Sequence, residues 1–454
     1  MREPQEPTDN EAHPRIDIPP QDDAHMGSIF TLALIAIVAG ALTGLVGGLF
    51  RLSLMGANNV RTSVLDWTRE EPALRWIVPV VLAGAAVAIA RLIIRWVPEA
   101  AGSGVQRVEA NMRAEIGFAR FRVLPAKFVS GVLAIGAGLA LGREGPTVQM
   151  GAIIGARAGR LVKVTEHDQR TLSAAMAGAG LGVAFNAPLG GAIFVVEEVA
   201  RAVRTRLVLT TLIGSAVAVG VAQLILGSQS IFSVGDVSME AAWMLIPYGI
   251  LGLALGALGV YYNRFVITMM DFMAAIPRIA PEVKAGIVGG LVGLLGVAWP
   301  SIVGGGDTIN EQILLGTLTI GPLALILIVR VVLGPLSYSL GTAGGLFAPL
   351  LVVGGAMGAL VATAHNALFP GAPVSPVAFA IVGMSTFFAA VVRAPVTGVI
   401  LIVEMTATTA LVIPMILAAA TAVLMATAMK GEPIYDTLRG RLKVTSPDPD
   451  RPAD

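Results

Sequence analysis

A chain of 454 residues in which 55% are hydrophobic and only 13% are charged has a mean hydropathy of +0.78, more apolar surface than a water-soluble core can hide. Its net charge of +1 points neither to nucleic acid nor to a polybasic hold on a membrane surface. With no cysteine, disulfides and thiolate metal sites are excluded, and lipid remains as the solvent.

In chain order, residues 1–28 form a polar stretch of Pro, Asp, Glu and His, expected to be a disordered tail and not a signal peptide. Apolar runs follow. Residues 128–156 are uncharged apart from Arg143 and Glu144, and 171–196, 207–235, 241–263, 285–306 and 405–429 are uncharged throughout. Each is long enough to cross about 30 Å of hydrocarbon. Residues 331–392 suffice for several passes, so ten or more membrane helices are expected, some cut short by recurring Gly and Pro. Basic clusters at 201–206 and 430–443 make these ends the cytoplasmic candidates.

Within this pattern Gly142-Arg143-Glu144-Gly145-Pro146 stands out. A carboxylate at bilayer depth costs about 2.5–3.5 kcal/mol on insertion scales, so Glu144 needs a partner, a wet cavity or a task. Proline just inside a helix start and a glycine before it leave bare amides pointing outward. Such an end is an anion site, and Glu144 stands where it could occupy or vacate it.

The chain also repeats itself. Pro98, Gly102 and Gly104 match Pro300, Gly304 and Gly306; Gly142, Pro146, Gly151 and Gly155 match Gly345, Pro349, Gly354 and Gly358. The stretch starting at Asn186 matches the one starting at Arg393, so three ordered blocks recur about 200 residues apart. The expected division is a first membrane repeat at 29–235, a second at 236–429 and a C-terminal segment at 430–454. Duplicated transporter folds bind substrate between the repeats at broken helix ends. Residues 142–146 and 341–349 are therefore expected to face each other and to offer amides to an anion. Gly102-Ser103-Gly104 adds a hydroxyl donor. Dipoles without a full cation hold an ion weakly enough for it to leave.

Gly-Ser-Gly-Val-Gln at 102, Gly-Arg-Glu-Gly-Pro at 142 and Gly-Gly-Leu-Phe-Ala-Pro at 344 resemble the three signature motifs of the CLC family of chloride channels and chloride/proton exchangers. The similarity runs from about 29 to 442 and takes in 124–127, 185–188, Glu197-Glu198 and Pro433-Ile-Tyr435. It implies an all-α, inverted-repeat bundle of many tilted and broken membrane helices, prokaryotic in type, with no soluble regulatory domain after the last helix. By the same resemblance Glu144 is the gating glutamate and Glu198 the internal proton glutamate. Ser103 and Tyr435 line the central chloride site with the backbone at Leu346, Phe347 and Gly145, so 430–454 carries a pore-contacting helix. Arg143, Gly102, Gly104 and Gly345 support that site. The first motif usually ends in proline, where this chain has Gln106. Chloride and protons are the implied substrates, in a homodimer in the lipid bilayer of a bacterial inner membrane, with no cofactor and no metal. A passive voltage- or pH-gated chloride channel and a fluoride/proton antiporter are the alternatives.

Other residues carry plainer expectations. Glu197 reads as an interfacial carboxylate paired with Arg201, Glu404 as its structural repeat mate, and Glu109 with Lys127 as a buried pair. Arg143 reads as a partner that sets the field, since a bare cation would trap the ion. Enzyme readings fail. Only His365 among four histidines lies in an apolar region, where an intramembrane serine protease needs a base, and no phosphate-binding loop or haem-type ligand pair is present.

Overall fold

The computed structural model describes residues 26–71, 74–228, 230–232, 234–235, 237 and 242–442. The stretches 1–25 and 443–454, both part of the polar tails, lie outside them. The described residues form seventeen α-helices and no strand.

Eight helices make the first half: α1 Met26–Arg69, α2 Leu74–Trp96, α3 Val105–Met112, α4 Val123–Gly136, α5 Glu144–Leu161, α6 Glu166–Phe185, α7 Pro188–Phe194 and α8 Thr205–Leu226. Eight more follow in the same order: α9 Leu245–Ala274, α10 Pro281–Ala298, α11 Asp307–Leu314, α12 Ile320–Ser339, α13 Phe347–Leu368, α14 Pro376–Val392, α15 Pro395–Thr406 and α16 Val412–Ala428. A short α17, Ile434–Gly440, closes the chain. Packing obeys the same pairing: α1 lies on α8 as α9 lies on α16, α5 on α6 as α13 on α14, while α2 meets α10 and α7 meets α15.

The breaks have local causes, and the halves share them. Asn186 and Arg393 adopt left-handed backbone that ends α6 and α14, and Pro188 and Pro395 start the next helices in their first turn. The run 171–196, read as long enough for one span, is therefore split between α6, α7 and a π-helical turn at Val195–Val199. Gly104 and Gly306 cap α3 and α11 at φ 91° and 115°, a conformation open to glycine and strained for most side chains.

Seven of the described helices are long and apolar enough to cross a membrane, and four shorter ones are apolar too. Their outer faces expose residues such as Leu34, Leu224, Ile287 and Leu424, the surface a lipid-facing shell presents. Helix α13 is the exception. In its most apolar stretch 72% of residues are buried, against 33–44% in the other six, so its N-terminus opens inside the protein.

Candidate functional site

The loops preceding α3, α5 and α13 are stitched together by backbone. Gly142 and Gly345, equivalent residues of the two halves, exchange two N–H···O bonds of 2.8 Å. The Gly102 amide donates to the Thr342 carbonyl at 3.0 Å, and its carbonyl accepts from the Gly344 amide at 3.1 Å. Lys127, fully buried on α4, clamps this turn by donating to the carbonyls of Ala100 at 3.1 Å and Gly102 at 2.6 Å. It makes no pair with Glu109, contrary to expectation, because the carbonyls leaving a tight turn at depth have no water to satisfy them. Three helix starts are thereby held around one point.

Glu144 is the first residue of α5 and is fully buried. Its Oε1 accepts from the Phe347 amide at 2.8 Å and, more weakly, from the Ala348 amide at 3.4 Å, the first two residues of α13. The carboxylate thus sits on the positive end of the other half's most buried helix, where free amides favour an anion. Leu346 stands one residue ahead as the helix cap. The second amide, Ala348, was missed by sequence reasoning, although the first two amides of any helix are equally free. Gly145 packs against Ser103 so tightly that a β-carbon there would lie 2.7 Å from Ser103 Oγ.

Ser103 and Tyr435 are both fully buried, and neither hydroxyl has a hydrogen-bond partner of good geometry. Tyr435, on α17, lies within interaction range of Ser103 and of Glu144. Its ring packs at 5.9 Å on Phe347, which also meets Phe185, Phe194 and Phe388. Two unsatisfied hydroxyls beside an amide-lined helix end form a site with donor capacity to spare. Gln106, in the place of the motif proline, interacts with the hydroxyl of Tyr338, which accepts from the Ser103 amide at 3.4 Å. Arg143 turns aside: Nε donates to the Ala184 carbonyl at 2.9 Å and Nη1 pairs with Asp307 at 2.8 Å.

Glu198 is 1% exposed, and Arg201 Nη2 lies 3.3 Å from both its oxygens. Arg201 also reaches Asp436 at 2.9 Å, the neighbour of Tyr435 on α17, so Glu198 is linked to the helix that carries Tyr435. The carboxylate of Glu109, on α3, is fully buried and within interaction range of Glu198. Glu198 and Arg201 line a broad cavity of about 650 Å³ together with Arg393 and Pro433.

Glu197 does not pair with Arg201. It accepts from the Val396 and Thr397 amides at 3.0 and 2.7 Å, at the start of α15, while Glu404 accepts from the Leu189 and Gly190 amides at 3.0 and 2.6 Å, at the start of α7. The repeat mates cap each other's helices. Spacing along one helix suggested a local pair; the π-helical turn sends the two adjacent carboxylates different ways.

Fold and site together define a duplicated multi-pass membrane protein in which a glutamate of one half is seated on the first amides of a buried helix of the other. The voltage gated chloride channel family model matches residues 85–427. Relatives include the H(+)/Cl(-) exchange transporter ClcA of Vibrio parahaemolyticus, 35% identical over 422 residues, with 91% of this chain and 90% of the relative covered. The ClcA of Citrobacter koseri is 36% identical over 419 residues, covering 90% and 88%. Among solved structures, a slow cyanobacterial Cl-/H+ antiporter superposes with a TM-score of 0.85 at 32% identity over 90% of this chain and 97% of its own. A CLC-type fluoride/proton antiporter, with a TM-score of 0.73 and 20% identity, shares the fold. The chain belongs to the voltage-gated chloride channel, or CLC, family.

Proposed function

We propose that this protein exchanges chloride for protons across a membrane, with Glu144 as the group that couples the two ions. The observation that carries this reading is the seat of Glu144 on the Phe347 and Ala348 amides, where a titratable carboxylate fills an anion site. The ClcA relatives and the cyanobacterial antiporter, named for the same exchange, support it.

Ionised, the carboxylate and chloride compete for the same amides. When Glu144 takes a proton it loses the charge that the helix dipole favours, and the neutral side chain leaves the seat. Chloride then meets the Phe347 and Ala348 amides with the hydroxyls of Ser103 and Tyr435. As the proton departs, the carboxylate returns and expels the ion, so mutual exclusion supplies the coupling. Glu198 takes protons from its cavity and passes them toward Glu144 without using the chloride path. Its burial and its link to α17 support that role. The setting we infer is a homodimer with one pathway per subunit in a bacterial inner membrane.

Flux in liposomes tests the proposal. With a chloride gradient imposed, protons should move uphill against their own gradient. Chloride flux with no proton movement would mean a channel instead.

A further inference from the structure

Beside the gate lies a second polar cavity, of about 170 Å³, which shares no lining residue with the cavity at Glu198. Arg51 and Arg61 of α1 and Arg143 line it, with Asp307 and the bare backbone of Gly304, Gly305 and Gly306. Asp307 is engaged by Arg143. Arg51 donates one bond, to the Val183 carbonyl at 3.0 Å. Arg61 Nη2 donates to the neutral Asn58 Oδ1 at 2.5 Å, and its Nε and Nη1 are buried with no acceptor. Beneath the glycine loop a fourth guanidinium, Arg330, is wholly buried. It donates to the Gly304 carbonyl at 2.7 Å, while its Nε and Nη2 also lack an acceptor.

Three guanidiniums thus line the cavity and a fourth braces its glycine wall from behind, with one carboxylate among the lining residues. Buried cations without counter-charge are costly, and so are buried N–H groups without acceptors. An anion in the cavity supplies counter-charge to the three arginines that line it. Guanidinium edges are planar sets of donors that match two oxygens at once, a match a single spherical ion does not offer. We propose that this vestibule is a binding site for a small multivalent oxyanion, of the sulfate or hydrogen phosphate class, separate from the amide site. Gly142 and Ala348, which adjoin the seat of Glu144, also line it, so an occupant stands in the way of chloride approaching the gate and slows exchange.

Calorimetric titration of the purified protein with sodium sulfate tests this independently of exchange. Saturable binding is expected, weakened at least tenfold in Arg51→Gln and in Arg61→Gln. Chloride binding, titrated on the same samples, should be unchanged, which also reports that the variants are folded. Asp307→Asn removes the carboxylate that competes with the ligand and should tighten sulfate binding, a change that misfolding cannot mimic. In liposomes, sulfate should slow chloride flux in the wild type and not in Arg61→Gln. Absence of saturable sulfate binding, or wild-type binding in both arginine variants, would overturn the proposal. So would loss of sulfate binding in Ser103→Ala with both arginine variants unaffected, since that assigns the ligand to the central site.

Discussion

Glu144 is held by two amides and accommodated by two missing side chains: a β-carbon on Gly142 or on Gly345 would collide with its carboxylate. The bare backbone that pairs the two halves is therefore also the recess in which this carboxylate rests. Glu144→Gln or Glu144→Ala should keep chloride flux and abolish coupled proton movement, read as pH change in liposomes. The sign of the pH effect follows from the seat. Lower pH protonates Glu144 and frees the amides, so wild-type chloride flux should rise as pH falls, and in either variant it should be flat. The hydroxyls of Ser103 and Tyr435 lie within range of each other, and neither makes a hydrogen bond of good geometry. Ser103→Ala and Tyr435→Phe should each weaken chloride binding by up to about 1.5–3 kcal/mol, the worth of a hydrogen bond to a charged group, or about ten- to a hundredfold by calorimetry. Unchanged binding in both would remove these residues from the pathway.

Helix ends, more than helix faces, organise the chemistry. The starts of α5 and α13 supply Glu144 and its seat, and the starts of α7 and α15 are closed by Glu404 and Glu197. Along the chain Glu197 and Glu198 look alike, and side-chain spacing favoured Arg201 as the partner of the former. The structure gives Arg201 to Glu198, and it separates the neighbours' expected phenotypes. Glu198→Gln should stop proton transport while chloride flux continues, because the amide keeps the shape and cannot carry the proton. Glu197→Gln should leave proton coupling intact and lower stability by about 1 kcal/mol through a weakened helix cap, read as a lower unfolding temperature. Equal loss of proton transport in the two would mean that the relay is shared.

The whole molecule is held in register at its pseudo-twofold centre. Lys127 on α4 and Arg330 on α12, equivalent in the two halves, clamp equivalent glycine turns through the carbonyls of Gly102 and Gly304. The clamp on Gly102 fixes the loop that carries Ser103. Lys127→Met leaves the buried Ala100 carbonyl without a donor, at about 1–3 kcal/mol, and takes from the Gly102 carbonyl one of its two donors, partly offset by removal of a desolvated cation. A lower unfolding temperature in detergent together with weaker chloride binding is expected. Normal chloride affinity in a destabilised protein would limit Lys127 to stability.

Membrane class, the duplication and the broken helix starts were legible along the chain, because hydropathy, glycine and proline act over a few residues and leave a local record. That record also led to Glu144, whose charge at depth needs explaining wherever the chain folds. Partners two hundred residues apart leave no such trace. The seating of Glu144 on Phe347 and Ala348, the exchange of caps between Glu197 and Glu404, the meeting of Glu109 with Glu198 and the gathering of Arg51, Arg61 and Arg143 all depend on how the two halves dock. A hydrogen bond is decided within a few tenths of an ångström, and only the packed backbone of both halves sets that distance.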